Sequence, residues 1–447
     1  MEKLFKLKDH GTTVRAEIMG GIVTFFAMAY IIFVNPNYLS QTGMNWHAVM
    51  LATCFSAAIG CFLTAFLANV PFAQAPGMGL NAFFTYTLCF GMGYTWQQGL
   101  AIVLVSGILF LIITISPLRS KIIASIPKDL KAAISAGIGL FITFIGLLNA
   151  DIVTLFGNVY DETGALVSTD YSDMGDILHG PALLALIGLI IIAILLCYKV
   201  KGAIFFGIII TTIIGIPMGL TQYNPDPVNF SVLGETFGKL SFDGIFNVQG
   251  GILAFFTAVI TFFICDCFDT VGTLIGTARS AGMLDQNGNL PGGDRALIAD
   301  AIATCSGAVF GTSTVTTFVE SSTGIAEGAR TGLSSVVVGL LFLVSSFFAP
   351  IAGIVPSAAT APALIIVGVF MLKGAADIAW NDMEIAIPCF LTIVTMPFAY
   401  SIGDGIGFGF ISYTLIKVAR GKAKEVPVLI YILSVAFAAM FALTYLG

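Results

Sequence analysis

Residues 20–27 read GGIVTFFA, and residues 250–257 read GGILAFFT, the same apolar phrase returning 230 positions later. The features that follow each copy also repeat: residues 109–111 read LFL and run on to Pro117, while residues 341–343 read LFL and run on to Pro350. Between these anchors each half carries one short, glycine-punctuated apolar piece, Gly77 to Gly91 in the first and Val315 to Gly328 in the second. Repetition on this scale organises a whole chain, so it is weighed before any single motif.

Composition identifies the solvent around that repeat. Of 447 residues, 44 are charged (19 Lys+Arg and 25 Asp+Glu), which is 10% where soluble domains carry about 25%. Hydrophobic residues make up 57%, with 38 Phe, so a water-facing surface could not be covered. The expectation is a polytopic membrane protein of about fourteen spans, allowing roughly 30 residues for each span and its loop. The net charge of −6 comes without any dense basic run, and no nucleic-acid partner is expected.

Apolar stretches fall at Gly20–Val34, Ala48–Val70, Leu100–Ile115, Ala132–Leu148, Ala182–Cys197 and Ala203–Ile216. A second set falls at Gly251–Cys267, Ala296–Phe310, Leu333–Ala349, Ala361–Leu372, Ile385–Tyr400, Ile406–Val418 and Val426–Leu446. The C-terminus leaves two readings open. Either Val426–Leu446 crosses, or Ile385–Val418 is one span broken around Gly403, Gly405, Gly407 and Gly409.

Lys and Arg in short loops set orientation. The groups Lys3/Lys6/Lys8/Arg15, Arg119/Lys121/Lys128/Lys131 and Lys417/Arg420/Lys422/Lys424 fall on one side if the two short pieces count as crossings. The stretch from Asp151 to Gly180 holds six acids and no Lys or Arg, which places it outside and the N-terminus inside. No apolar core precedes Arg15, so the first span is expected to act as its own insertion signal. Ser116–Leu130 alternates basic and apolar residues at helical spacing, an interfacial amphipathic helix by expectation.

Seven spans per half is an odd number, so the second copy enters the membrane upside down. Inverted repeats with paired, broken short segments mark secondary transporters, whose substrate sits near the midplane where the breaks meet. Backbone chemistry explains the link: in hydrocarbon every N–H and C=O needs a partner, so a break survives only inside protein or beside a polar cavity. The first break runs from Phe72 to Asn81, and Pro71 just before it with Pro76 inside it holds the chain extended until a helix can start at Gly77. The second, Gly311 to Glu320, is rich in hydroxyls and β-branched residues and favours extended chain before a short helix. Two half-helix N-termini would then meet, each offering free N–H donors.

Scarce polar residues at span depth are the functional candidates. Asp266 and Asp269 sit three apart in FFICDCFDTVGTLIG, on adjoining parts of one helix face. Glu320 lies at the second break and Asn81 at the matching place in the first. An ionisable residue at this depth costs at least about 2.5 kcal/mol on insertion scales, so function is the default reading. Asp300, Asp377, Asp382 and Asp404 fall nearer span ends and are read as solvated. Burial favours a carboxyl's neutral form, so one of the site acids is expected to exchange a proton. Phe83, Phe84 and Phe318 could wall a flat ring, and the set suits a small neutral heterocycle with several N–H groups, carried with H⁺. Of the eight cysteines only Cys265 and Cys267 are close, which favours buried thiols over a zinc site or disulfides.

These residues lie in APGMGLNAFF from Ala75, FDTVGTL from Phe268 and GTSTVTTFVESSTGIAEGARTGL from Gly311, which closely resemble the AzgA-like purine permeases of the nucleobase–cation symporter-2 group. The resemblance runs in order over nearly the whole chain. It implies an all-α polytopic fold of about 14 transmembrane segments in a seven-plus-seven inverted repeat with core and gate domains. On that reading 1–117 and 245–350 form the core, and 118–225 and 358–447 form the gate. It further implies proton-coupled uptake of hypoxanthine, guanine or adenine by a multi-pass protein of the cell membrane. Carried over by motif, Asp269, Glu320 and Asn81 bind substrate, with Phe318, Phe83 and Thr316 beside them. Glu320, Asp269 and Asp266 become the candidates for proton coupling. Wider relatives have a His four residues after the acid of the eighth span; here that position is Thr273, which puts a His-assisted proton path in doubt. No cofactor or metal is expected beyond the co-transported proton, the partners are a purine nucleobase and the lipid bilayer, and assembly as a homodimer is left open. A carrier of uracil, xanthine or a small anion, a channel and a membrane enzyme are the alternatives; an enzyme would need a nucleophile–base pair that three peripheral His hardly supply.

Overall fold

The computed structural model describes residues 2–116, 125–156, 159–160, 166–168, 171–221, 229–285 and 290–446. Among the described residues, eight helical segments are long and apolar enough to cross a membrane: Val14–Thr42, Trp46–Ala68, Trp96–Ile115, Lys128–Asn149, Gly180–Cys197, Gly251–Ala278, Ser357–Asp377 and Ile402–Ala419. Shorter apolar helices are Ala203–Gly215, Gly332–Phe348, Met383–Phe398 and Val428–Leu443. Large side chains such as Ile112, Ile194, Ile213, Phe390 and Val435 stay exposed, an apolar exterior that suits hydrocarbon and not water. The protein is a mostly helical, polytopic membrane protein.

The expectation of an all-α chain needs correction in two places. Gln74–Pro76 and Val315–Thr317 pair as antiparallel strands, with Gln74 opposite Thr317, Ala75 opposite Thr316 and Pro76 opposite Val315. Within the acidic loop, Val153–Phe156 pairs with Tyr171–Met174, and Val159–Tyr160 with Leu166–Ser168. The cause is the same in both: extended segments without a helical partner satisfy their backbone groups against each other. Residues 117–124, which hold most of the expected interfacial helix and the 117/118 domain boundary, lie outside the described residues, as does the boundary at 225.

The repeated Gly-Gly phrase serves two local purposes. Gly20 and Gly21 lie inside the Val14–Met28 helix, where a Cβ on Gly21 would stand 2.7 Å from the Ser334 carbonyl oxygen. The pair therefore lets this helix close onto the segment after the second break. Gly250 and Gly251 instead have φ of 88° and 53° and turn the chain into the Gly251–Ser280 helix, a backbone region open to glycine at little cost.

At the C-terminus three helices appear, Met383–Phe398, Ile402–Ala419 and Val428–Leu446. The break falls at Ala399–Ser401, where Tyr400 has φ of 55°, and not around Gly403 to Gly409, which are helical. Those glycines let neighbours approach; a Cβ on Gly407 would lie 2.8 Å from the Phe441 ring. The basic cluster after them converges on Glu384, which accepts from Lys417 at 3.0 Å, Arg420 at 2.9 Å and Lys422 at 2.8 Å. Among the cysteines, Cys197 is exposed and Cys305 half-buried; the other six are buried, and all eight are free.

Candidate functional site

The two breaks cross, and each completes the other's backbone. Gly77 donates its N–H to the Thr314 carbonyl at 3.0 Å, and Phe318 donates to the Ala73 carbonyl at 3.0 Å. The Ala73 N–H donates to the Ser321 hydroxyl at 3.0 Å. From this crossing the helix Met78–Ala82 starts at Gly77, and the short helix Ser321–Ala326 starts at Glu320. Part of the expected donor supply of the half-helices is thus already used within the crossing.

Around it the structure gathers most of the sequence candidates. Asp266, Asp269 and Thr270 come from the long Gly251–Ser280 helix. The Thr316 hydroxyl shares a 2.8 Å hydrogen bond with Thr270, the residue after Asp269. Asp269 is exposed and Glu320 half-buried. Both acids therefore stay within reach of solvent beside the crossing. Phe318 is buried with its ring 6.4 Å from that of Tyr30.

Two candidates stand further back. Asn81 is fully buried, and its Oδ1 accepts from the Ser313 hydroxyl, tying the first break to the second. Its Nδ2 has no acceptor among the described residues. Phe83 packs edge-on against Phe262 at 4.7 Å, so it supports the acid-bearing helix. Phe84 is buried against Gly99.

Sequence reasoning missed four participants and misread a fifth. The Tyr30 hydroxyl donates to Glu320 at 2.7 Å; inside FFAMAYIIFV it looked like one more apolar ring. Gln74 and Thr270 reach Asp300. Lys131, grouped above with the basic loop residues, stands 4.9 Å over the Phe268 ring, which puts a cation beside the acid-bearing helix. Asp300, read as solvated near a span end, is fully buried behind the crossing; the Gly293–Phe310 helix carries it inward. Asp377 and Asp382 are exposed, as expected.

The arrangement offers solvent-reachable carboxyl groups, with hydroxyls and flat rings nearby. It can accept N–H donors from a planar ligand and exchange a proton. Comparison with known proteins bears on the same residues. Residues 15–408, which include both breaks and all four acids, match the Permease family, of xanthine/uracil permease type.

The chain belongs to this family.

The permease is 42% identical to a guanine/hypoxanthine permease of Bacillus subtilis over 99% of each chain. It is 40% identical to an adenine permease of Escherichia coli, covering 98% of this chain and 95% of that one. A putative permease of Methanocaldococcus jannaschii is 45% identical over 99% of this chain and 98% of its own. The resemblance to AzgA-like purine permeases rests on such relatives. Among solved structures, the permease matches the transmembrane domain of a cyanobacterium bicarbonate transporter with a TM-score of 0.59 at 16% identity, over 94% and 97% of the two chains. It matches murine solute carrier 26 family member A9, an anion transporter, with a TM-score of 0.60 at 10% identity, over 91% and 68%. At such identities the likeness concerns the fold alone.

Proposed function

We propose that the permease is a proton-coupled importer of purine nucleobases, hypoxanthine and guanine foremost and adenine next, working by alternating access and not by catalysis. The single observation that carries this is the presence of two solvent-reachable acids, Asp269 and Glu320, on the elements that meet at the strand crossing. Two acceptor side chains there match the N–H groups of a purine edge, with Phe318 against the ring face. One of the two acids takes the proton that travels with the substrate, so that binding of either favours binding of the other.

The antiparallel register of the two breaks supports fourteen segments in a seven-plus-seven inverted repeat, because copies of opposite insertion bring equivalent strands together head to tail. On this reading the core segments 1–117 and 245–350 carry the site and move against the gate segments 118–225 and 358–447. The basic clusters support a cytoplasmic N-terminus in the plasma membrane. The names of the guanine/hypoxanthine and adenine relatives support the substrate class.

The test is uptake of labelled hypoxanthine, guanine, adenine and uracil in a transport-deficient strain, with and without a protonophore. Saturable purine uptake that the protonophore abolishes is expected. Uptake of uracil alone, or unsaturable flux, contradicts the reading.

A further inference from the structure

Asp300 is the buried acid that the transport mechanism leaves without a role. Its Oδ1 accepts from Gln74 Nε2 at 3.1 Å, Thr270 Oγ1 at 3.0 Å and Thr317 Oγ1 at 3.1 Å. Those donors sit on the first strand, the acid-bearing helix and the second strand, so one oxygen joins three elements to the Gly293–Phe310 helix. Three neutral donors on one oxygen are arranged for an ionised carboxylate.

The other oxygen tells a second story. Asp300 Oδ2 has no donor among the described residues, and neither has Asp266 Oδ1. Yet the two carboxyls stand side by side: Thr270, one turn along from Asp266, donates to Asp300, and Thr304, one turn along from Asp300, donates to Asp266. Asp266 is 1% exposed and Asp300 0%, so both are out of reach of bulk water, and Asp266 Oδ2 accepts from Thr304 at 3.0 Å. Two ionised carboxylates side by side in a buried place repel strongly. One proton between them satisfies both orphan oxygens.

We propose that Asp266 and Asp300 hold one captive proton, Asp266 Oδ1–H donating to Asp300 Oδ2, and that Asp300 is thereby a positioning residue that pins the crossing strands to the helices around them. The pair keeps a net charge of −1 and passes no proton to Asp269 or Glu320. The exchangeable proton then belongs to Asp269 or Glu320, which are accessible where the pair is not. The titratable groups around the pair are Asp269 and Cys265 on the same helix as Asp266, and Cys305 on that of Asp300. Beyond the strands lie Glu320 with Tyr30, Cys61 bonded to Gln74, and Lys131 over Phe268. Only the affinity arm of the test rests on the purine reading.

Infrared spectroscopy of the full chain in lipid, without nucleobase, tests the proton. A protonated-carboxyl carbonyl band is expected that persists from acidic into alkaline buffer and is lost in both Asp266→Asn and Asp300→Asn. In each variant an amide N–H replaces the shared O–H, with the same net charge and one proton fewer. A band that titrates away across the neutral range, or one that survives in both variants, overturns the captive proton. For positioning, Asp300→Asn keeps an acceptor for the three donors and Asp300→Ala keeps none. Hypoxanthine affinity is expected to fall at least about ten-fold further in the alanine variant; equal losses overturn the positioning role. Where Asp300→Ala is not recovered folded, Thr270→Val, which removes one donor, serves in its place. Absence of hypoxanthine binding by the unaltered protein refutes the purine reading and leaves the infrared result standing.

Discussion

The Tyr30 hydroxyl donates to Oε1 of Glu320 across 2.7 Å and joins two residues 290 positions apart. The bond crosses from the first apolar span to the second break, so the acid's direction depends on a helix that carries no charge of its own at that depth. A hydrogen bond to a charged group contributes about 1.5–3 kcal/mol. Tyr30→Phe should therefore raise the KM for hypoxanthine about ten-fold or more, with Vmax changing less. Uptake kinetics at matched expression check this, and an unchanged KM means that Glu320 is held in place by other contacts.

Gly77 and Thr316 meet where the two strands cross. A Cβ on Gly77 would lie 2.5 Å from Thr316 Cγ2, and overpacking of this kind costs about 1–3 kcal/mol. Gly77→Ala should lower the melting temperature of the purified protein and reduce uptake. Adding Thr316→Ser removes the offending methyl and should restore most of the lost thermal stability. Equal melting of the single and double variants contradicts the proposed contact.

How much of this was legible in the sequence follows from what each residue's neighbours are. The breaks were legible because Pro, Gly and hydroxyl runs interrupt apolar stretches, and Asp266, Asp269 and Glu320 because charge is rare there. Asp300 was not: GGDRALIAD places it soon after Asp294 and Arg295, and only the packing of its helix shows that it turns inward. Tyr30 and Gln74 were hidden for a related reason, since a hydroxyl or an amide among apolar residues costs less than a charge and leaves a weaker trace. The pairing of the two breaks as strands needs contacts across more than 200 residues, which local propensity does not encode.

Glu17 shows the same limit and gives a further prediction. This carboxylate is fully buried and accepts from the N–H groups of Arg330 at 2.7 Å, Thr331 at 3.1 Å and Ser334 at 3.2 Å. It thus satisfies the start of the Gly332–Ser345 helix, whose first N–H groups have no partner within that helix. Glu17→Ala leaves those donors unpaired and should destabilise the protein by about 3 kcal/mol or more. Glu17→Gln keeps acceptor capacity and should lose less. Thermal unfolding in detergent separates the two, and equal stability of all three proteins would remove Glu17 from this role.

The most direct measurement is hypoxanthine accumulation in proteoliposomes under an imposed pH gradient, acidic on the uptake side, for the unaltered permease and for Glu320→Gln. Saturable accumulation that collapses with a protonophore and is lost in Glu320→Gln is expected. Gradient-dependent accumulation that Glu320→Gln leaves unchanged, or accumulation by the unaltered permease that ignores the gradient, contradicts proton-coupled transport by way of Asp269 and Glu320.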